Sequence, residues 1–158
     1  MNRNNERKLQ SKRILLNPIQ EIDNVEIKNI IDLITKISST WQNSISFEIK
    51  DRINSTLFGY CGLIPCNNLK AACFYFLYPQ YRNNGYAIEA TRRMFEFAFM
   101  DLQIQQIIAY ILVGNQYAWK VAERVGMMYM GEFINESNLN KVMKFQIEKS
   151  DFENQMRY

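Results

Sequence analysis

The chain contains no histidine among its 158 residues. That absence removes Ser-His-Asp and Cys-His catalysis. It also removes almost every zinc site except an all-cysteine or carboxylate one, and no metal is expected. Proton chemistry is left to Glu, Asp, Tyr, Cys, Lys, an amino terminus or water. Cysteine is scarce, with only Cys61, Cys66 and Cys73. An odd count without a CxxC pair argues against a disulfide framework and for a reducing compartment, so the chain reads as cytoplasmic. Cys61 and Cys73 stand in apolar strands and read as buried thiols. No apolar run approaches the roughly 20 residues that span a bilayer. The opening "MNRNNERKLQSKR" is basic and polar, and no apolar segment of a secretory signal follows it. No membrane partner is expected. A dense basic stripe is missing as well: the net charge is +3, and the only adjacent basic pair beyond the first 13 residues is Arg92-Arg93. That argues against a nucleic-acid partner.

What is present is a globular composition, 47% apolar and rich in aromatics. The length fits one domain with a sizeable core. Residues 1–12 read as a disordered basic lead, 13–148 as a single domain and 149–158 as a polar tail. "RILL", Arg13 to Leu16, is expected as a strand that Pro18 ends. Asp23 with Glu26 three residues later has the spacing of a capping box, and Ile27, Ile30, Ile31, Ile34 and Ile37 give the helix behind it one apolar face. "SISFEIK", "LFGYCGLI" and "LKAACFYFL" read as three successive strands, the last buried on both faces at mid-sheet. A helix over Tyr86 to Met100 follows, then a strand over Gln105 to Leu112. A second helix carries Ala118, Val121, Ala122 and Val125 and stops at Gly126. "MMYMGEF" and "KVMKFQIE" close the order. The pattern is a mixed α/β (α+β) sheet with helices on both sides.

The stretch "YPQYRNNGYAIEA", Tyr78 to Ala90, joins a buried strand to a helix N-terminus through a short polar loop. Free backbone N–H groups and the helix dipole converge at such a junction and suit a phosphate. The loop is no Walker motif, since GxxxxGK is absent, and no dinucleotide fingerprint, since two of the three glycines are missing. Gly85 permits positive φ or close approach, Asn83 and Asn84 tolerate left-handed backbone, Ala87 is small, and Arg82 adds a cation. An ordinary β-to-α connection accounts for the loop equally well. About 30 residues on, Asn115 opens another helix after another buried strand. An N-cap is its simplest role.

These two segments, in this order, resemble the GNAT superfamily of N-acetyltransferases over roughly 13–147. The family's motif of Arg or Gln, two residues, Gly, one residue, then Gly or Ala stands here as Arg82, Gly85 and Ala87. "PQYRNNGYAIEA" and "NQYAWKVAERVGM" are close to the branch related to ribosomal-protein N-terminal acetyltransferases. The resemblance implies a mostly antiparallel sheet of about six or seven strands, splayed at its centre. It implies acetyl-coenzyme A as cosubstrate, with the pyrophosphate on Arg82, Asn83, Asn84, Gly85, Tyr86 and Ala87. The pantetheine arm would pair strand-like near Phe76, Leu77 and Tyr78, with Asn115 contacting it between the splayed strands.

Three positions depart from the family's chemistry. The general-acid tyrosine seven residues after the asparagine is Ala122, the branch's serine is Ala118, and its central-strand glutamate is Ala72. Candidate substitutes as proton carriers are Glu48, Glu132, Tyr60, Tyr75 and Tyr110, none of them singled out as the base; Tyr75 and Tyr110 sit in strands and read equally as core residues, and Glu89 is expected to orient structure instead. The resemblance implies an amine acceptor, a protein N-terminus or a small molecule, and a monomer or homodimer. Two functions stay open: an N-acetyltransferase, or a catalytically degenerate domain that binds acyl-coenzyme A as a sensor or interaction module. Acceptor identity is expected from the helix 23–37, the segment 38–44 and the loop 134–140.

Overall fold

A computed structural model describes residues 6–37, 44–136 and 138–157. Four helices and eight strands follow one another as β1 (Leu9–Gln10), β2 (Ile14–Ile19), α1 (Val25–Ile37), β3 (Ile45–Asp51), β4 (Leu57–Pro65), β5 (Lys70–Leu77), α2 (Tyr86–Glu96), β6 (Gln106–Leu112), α3 (Gln116–Arg124), β7 (Met128–Ile134), β8 (Lys141–Glu148) and α4 (Lys149–Met156). The strands form one open sheet in the order β1-β2-β3-β4-β5-β6-β8-β7. Every neighbouring pair is antiparallel except β5 and β6.

That parallel pair determines the shape of the molecule's centre. It is in register only at Lys70 with Gln106, Ala71 with Ile107 and Ala72 with Ile108. Beyond Ala72, β5 stays paired with β4 as far as Leu77, and β6 stays paired with β8 as far as Leu112. Their facing edges diverge into a V, which is the expected splay. Backbone groups on those edges lack a strand partner, and buried ones need another ligand.

Alternation along the strands divides the core in two. Cys73, Tyr75 and Leu77 turn toward α2, α3 and α4, whose Phe95, Ala122 and Phe152 share their cluster. Ala72, Phe74 and Phe76 turn the other way and pack with Ile27 and Ile34 of α1. β5 is therefore buried on both faces, as its unbroken apolar run suggested. After Glu96 the helix widens into a π turn, Phe97–Asp101, with Leu102 N–H donating to Phe97 O at 3.1 Å. This places Phe97 and Phe99 fully inside.

Four expectations need correction. The sheet has eight strands because Leu9 and Gln10, inside the expected lead, pair with Leu16 and Leu15, and Leu9 is buried. Pro18 does not end its strand but pairs with Phe47 inside it. β1 covers only residues 15 and 16, so β2 is an open edge at that point, where proline is tolerated. The cap of α1 is Asn24, whose Oδ1 accepts from Ile27 N at 3.1 Å, and not Asp23. The polar tail is helical from Lys149 to Met156 because Phe152 is buried against Phe95 and Phe99. Among the described residues no helix is long and apolar enough to cross a membrane.

Candidate functional site

The loop between β5 and α2 is locked from several sides. A single 3-10 turn, Pro79–Tyr81, leads into it. Asn83 and Gly85 both take left-handed backbone, with φ of 66° and 80°. Asn84 Nδ2 donates to the Arg82 carbonyl at 3.1 Å. The first backbone donor inside α2 with an intrahelical acceptor is Glu89 N–H, bonded to Gly85 O at 3.0 Å. The N–H groups before it at the helix start are left for a ligand or water.

Arg82 is fixed by its own strand: Nε donates to Leu77 O at 3.0 Å. Its guanidinium lies over the rings of Tyr117, at 4.6 Å, and Phe76, at 5.6 Å. Beside it runs a groove of about 520 Å³ between the loop and α3, lined by Leu77, Asn83, Gly85, Tyr86 and Ala87 from one side. Three cations line it, Arg82, Lys120 and Arg124, and no described carboxylate does. The Tyr117 hydroxyl is buried there with no hydrogen-bond partner among the described residues. Burial pushes its phenol up to about 12 against the pull of Arg82. Lys120, Arg124 and Tyr117 were not singled out in the sequence. Their signal was spacing: positions 117, 120, 121 and 124 share one face of the second helix.

Arg13 was read only as the start of a strand, yet it clamps the loop. Its Nε donates to Glu89 Oε2 at 2.7 Å, its backbone N–H to Glu89 Oε1 at 2.6 Å, and Nη1 to Asn84 O at 2.9 Å. Its guanidinium lies 4.6 Å from the Tyr86 ring centre. Burial alone would raise the Glu89 carboxyl, but the hydrogen bonds and charge of Arg13 outweigh it and hold the group below its ordinary 4.5. Glu89 thus orients structure. Because its folded value is depressed, its stabilisation is complete above 4.5 and is lost as pH falls through the lower folded value. Glu89→Gln is expected to melt below the wild type at neutral pH, with a difference that shrinks in melts taken progressively below pH 4.5.

The V between β5 and β6 opens into a second hollow of about 400 Å³. Cys73, Phe74 and Tyr75 line it from β5, Ala109 to Leu112 from β6, and Glu26, Asn29, Ile30 and Leu33 from α1. Asn115 lies at its side, where Oδ1 accepts from Ala118 N at 3.1 Å. It is therefore an N-cap, and its Nδ2 makes no hydrogen bond among the described residues.

The suggested proton carriers are dispersed. Glu48 is held by Lys50 Nζ at 3.0 Å and Asn17 Nδ2 at 3.1 Å and does not line the hollow. Glu132 is exposed on β7, at the far edge of the sheet. Burial and a bond with Tyr78 push Tyr60 up to about 12. Tyr75 does line the hollow, but its hydroxyl donates to Ala118 O at 2.5 Å, and burial raises it well above its ordinary value. Tyr110 lines it too, edge-on to Phe133. Of the strand residues expected near the donor, Leu77 lines the cationic groove, Phe76 underlies Arg82, and Tyr78 is turned toward Asn24, 3.4 Å from its Nδ2. Cys61 and Cys73 are buried thiols, both raised by desolvation. No group of three or more acidic or cysteine residues suited to a metal occurs among the described residues. The segment 38–43 and Ser137, both in stretches expected to shape acceptor choice, lie outside the described residues.

Comparison with known proteins bears on this arrangement. Residues 13–128 match the family model described as the acetyltransferase (GNAT) domain. The uncharacterized protein YkkB of Bacillus subtilis is 31% identical over 83 residues, which are 51% of this chain and 48% of that protein. YdaF of the same organism, whose name carries a provisional assignment as a ribosomal N-acetyltransferase, is 29% identical over 77 residues, 46% of this chain and 42% of YdaF. The chain thus spans less than half the length of these curated relatives. A GNAT-family acetyltransferase from Bacillus anthracis superposes with a TM-score of 0.72 at 17% identity, covering 91% of this chain and 99% of that one. A variant of the spermidine N-acetyltransferase SpeG from Vibrio cholerae gives 0.65 at 20% identity, covering 89% and 82%. At such identities the likeness is one of fold.

Proposed function

The chain belongs to the GNAT acetyltransferase family, and from that premise we propose that it transfers an acetyl group from acetyl-coenzyme A to a primary amine. One observation carries the proposal: a groove with three cations and no described carboxylate lies beside Gly85 and Leu77, at the end of a strand, β5, that has no strand partner on its β6 side beyond Ala72. A polyanionic thioester with an amide-bearing arm matches both halves. Arg82, Lys120, Arg124 and the free N–H groups before Glu89 bind the phosphates. The open edge of β5 beyond Ala72 takes the arm, and Asn115 offers it Nδ2. The donor supplies an already activated acyl group. The amine nitrogen bonds to the acetyl carbon, the carbon–sulfur bond breaks, and the thiolate leaves.

Catalysis then rests on positioning, which can supply much of the rate. Ala72, Ala118 and Ala122 are buried alkyl groups, and Tyr75 is committed to Ala118 O. Water takes the amine's proton and returns one to the thiolate. Turnover is expected to rise with pH along the neutral fraction of whichever amine is used. Rate profiles for amines of different pKa check this, and limbs fixed across the series would reveal a protein acid and base. The function itself is tested by melting with saturating coenzyme A and by thiol release from acetyl-coenzyme A with a panel of amines. A ligand at 100 times its dissociation constant adds about 2.7 kcal/mol. A melt shift with no thiol release for any amine would favour the acyl-coenzyme A sensor, and no shift would defeat both.

A further inference from the structure

Among the described residues that line the second hollow, Glu26 is the only one of a charged type; it is exposed to solvent, and no lysine or arginine lines the hollow. Its remaining polar lining includes Asn29, Asn138 and Asn140, which can accept as well as donate.

Glu26 has no structural duty that accounts for it. The capping-box spacing placed it three residues after Asp23, but Asn24 is the cap, so Glu26 is only the second helical residue. It makes no hydrogen bond or ion pair among the described residues. Asp23 and Lys28, which flank it, face each other at 3.9 Å. A carboxylate in a first turn does favour the helix dipole, yet any exposed position of that turn would serve. This one opens onto the V.

We infer that Glu26 selects the acceptor: a short aliphatic diamine or polyamine whose second, ammonium end is held by Glu26 while the first, neutral amine enters the V. This rests on the acetyl-transfer reading above. An amino acid would bring a carboxylate into a hollow with no cation to receive it, beside a like charge, which is unfavourable. A monoamine would leave Glu26 unpaired. The hollow, about 400 Å³, is in the range of small-molecule sites and is shared with the donor's arm along β5, so it suits a slender acceptor. Glu26 touches the remote end of the acceptor only. It binds and orients, and it moves no proton in the reaction.

The test compares 1,5-diaminopentane, 1-aminopentane and 5-aminopentanoate in thiol release, with diamine binding to the coenzyme A complex followed by calorimetry. The wild type is expected to favour the diamine over the monoamine by about tenfold in kcat/KM, about 1.4 kcal/mol, and to use the aminopentanoate worst. Glu26→Gln is expected to raise KM and the calorimetric Kd for the diamine by about the same factor, and to affect the monoamine much less. The coenzyme A melt shift should persist in the variant. Absence of that shift in the wild type would overturn the acetyl-transfer reading and this inference with it. With the shift intact, three results overturn the inference alone: no diamine preference or binding in the wild type, a preference that survives in Glu26→Gln, or an equal fall in kcat for all amines, which would make Glu26 a base.

Discussion

Replacing Gly85 with valine is expected to abolish the coenzyme A-dependent rise in melting temperature. The wild-type rise at 100 times Kd should be about 5–10 °C, from about 2.7 kcal/mol in a domain where each kcal/mol moves the midpoint by about 2–4 °C. From the sequence, the effect would be a side chain filling phosphate space. The geometry adds a second cause. Gly85 has φ of +80°, and a Cβ placed on it meets Arg13 Nη2 at 3.2 Å. Left-handed backbone costs an ordinary L-residue about 1–2 kcal/mol, and a β-branched one tolerates it least. Valine therefore turns the loop's N–H groups away and pushes on the arginine that holds Asn84 O. The unliganded protein should also melt lower, by about 2–8 °C. Gly85→Asn separates the causes, because asparagine accepts the left-handed region. It is expected to recover most of the unliganded stability and part of the shift. A full shift in the valine variant would mean that this loop does not carry the ligand.

The contrast at Gly85 shows which features the sequence made legible. Local signals were readable where one residue type has one conformational meaning. Gly85 and Asn83 announced positive φ, Gly126 announced a helix end, and the double-sided apolar run Ala71 to Leu77 announced a central strand. Those signals indicated the order of elements from β2 to β8 and the loop, whereas the splay of the sheet was implied only by the family resemblance. What stayed hidden depends on residues far apart in the chain. Arg13 reaches Glu89 across 76 positions, and no pattern around Arg13 predicts that. Phe152 looked like one aromatic in a polar tail, but tertiary packing on Phe95 made its segment a helix. Asp23 and Asn24 are both good caps, and only the backbone path decides between them. Glu48 and Glu132 were plausible proton carriers by type, whereas their places on β3 and on the outer strand β7 separate them from the V. Glu26 was legible as a helix-start residue and not as a cavity residue, because the face that α1 turns to the V follows from how it packs on β5.

Asn115→Asp is expected to keep the fold and to weaken coenzyme A binding by about five- to 150-fold. The cap is made by Oδ1, which accepts from Ala118 N at 3.1 Å. Aspartate accepts equally well there, and its charge suits a helix N-terminus, so the melting temperature without ligand should stay near the wild type. Asn115→Ala, by contrast, loses the cap and should cost about 0.5–2 kcal/mol. Binding separates the two variants differently. Asn115 Nδ2 makes no hydrogen bond among the described residues, and Asn115 borders the hollow where, on the proposed reading, the open edge of β5 would take an amide-bearing arm. A carboxylate cannot donate, so a ligand carbonyl there would lose its partner and face a negative charge. A lost hydrogen bond that strands a buried polar group costs about 1–3 kcal/mol, which corresponds to about five- to 150-fold in affinity. Melting points and coenzyme A affinities of both variants decide between the roles. Unchanged affinity in the aspartate variant would leave Asn115 as a cap alone and would place the arm's donor elsewhere on the V.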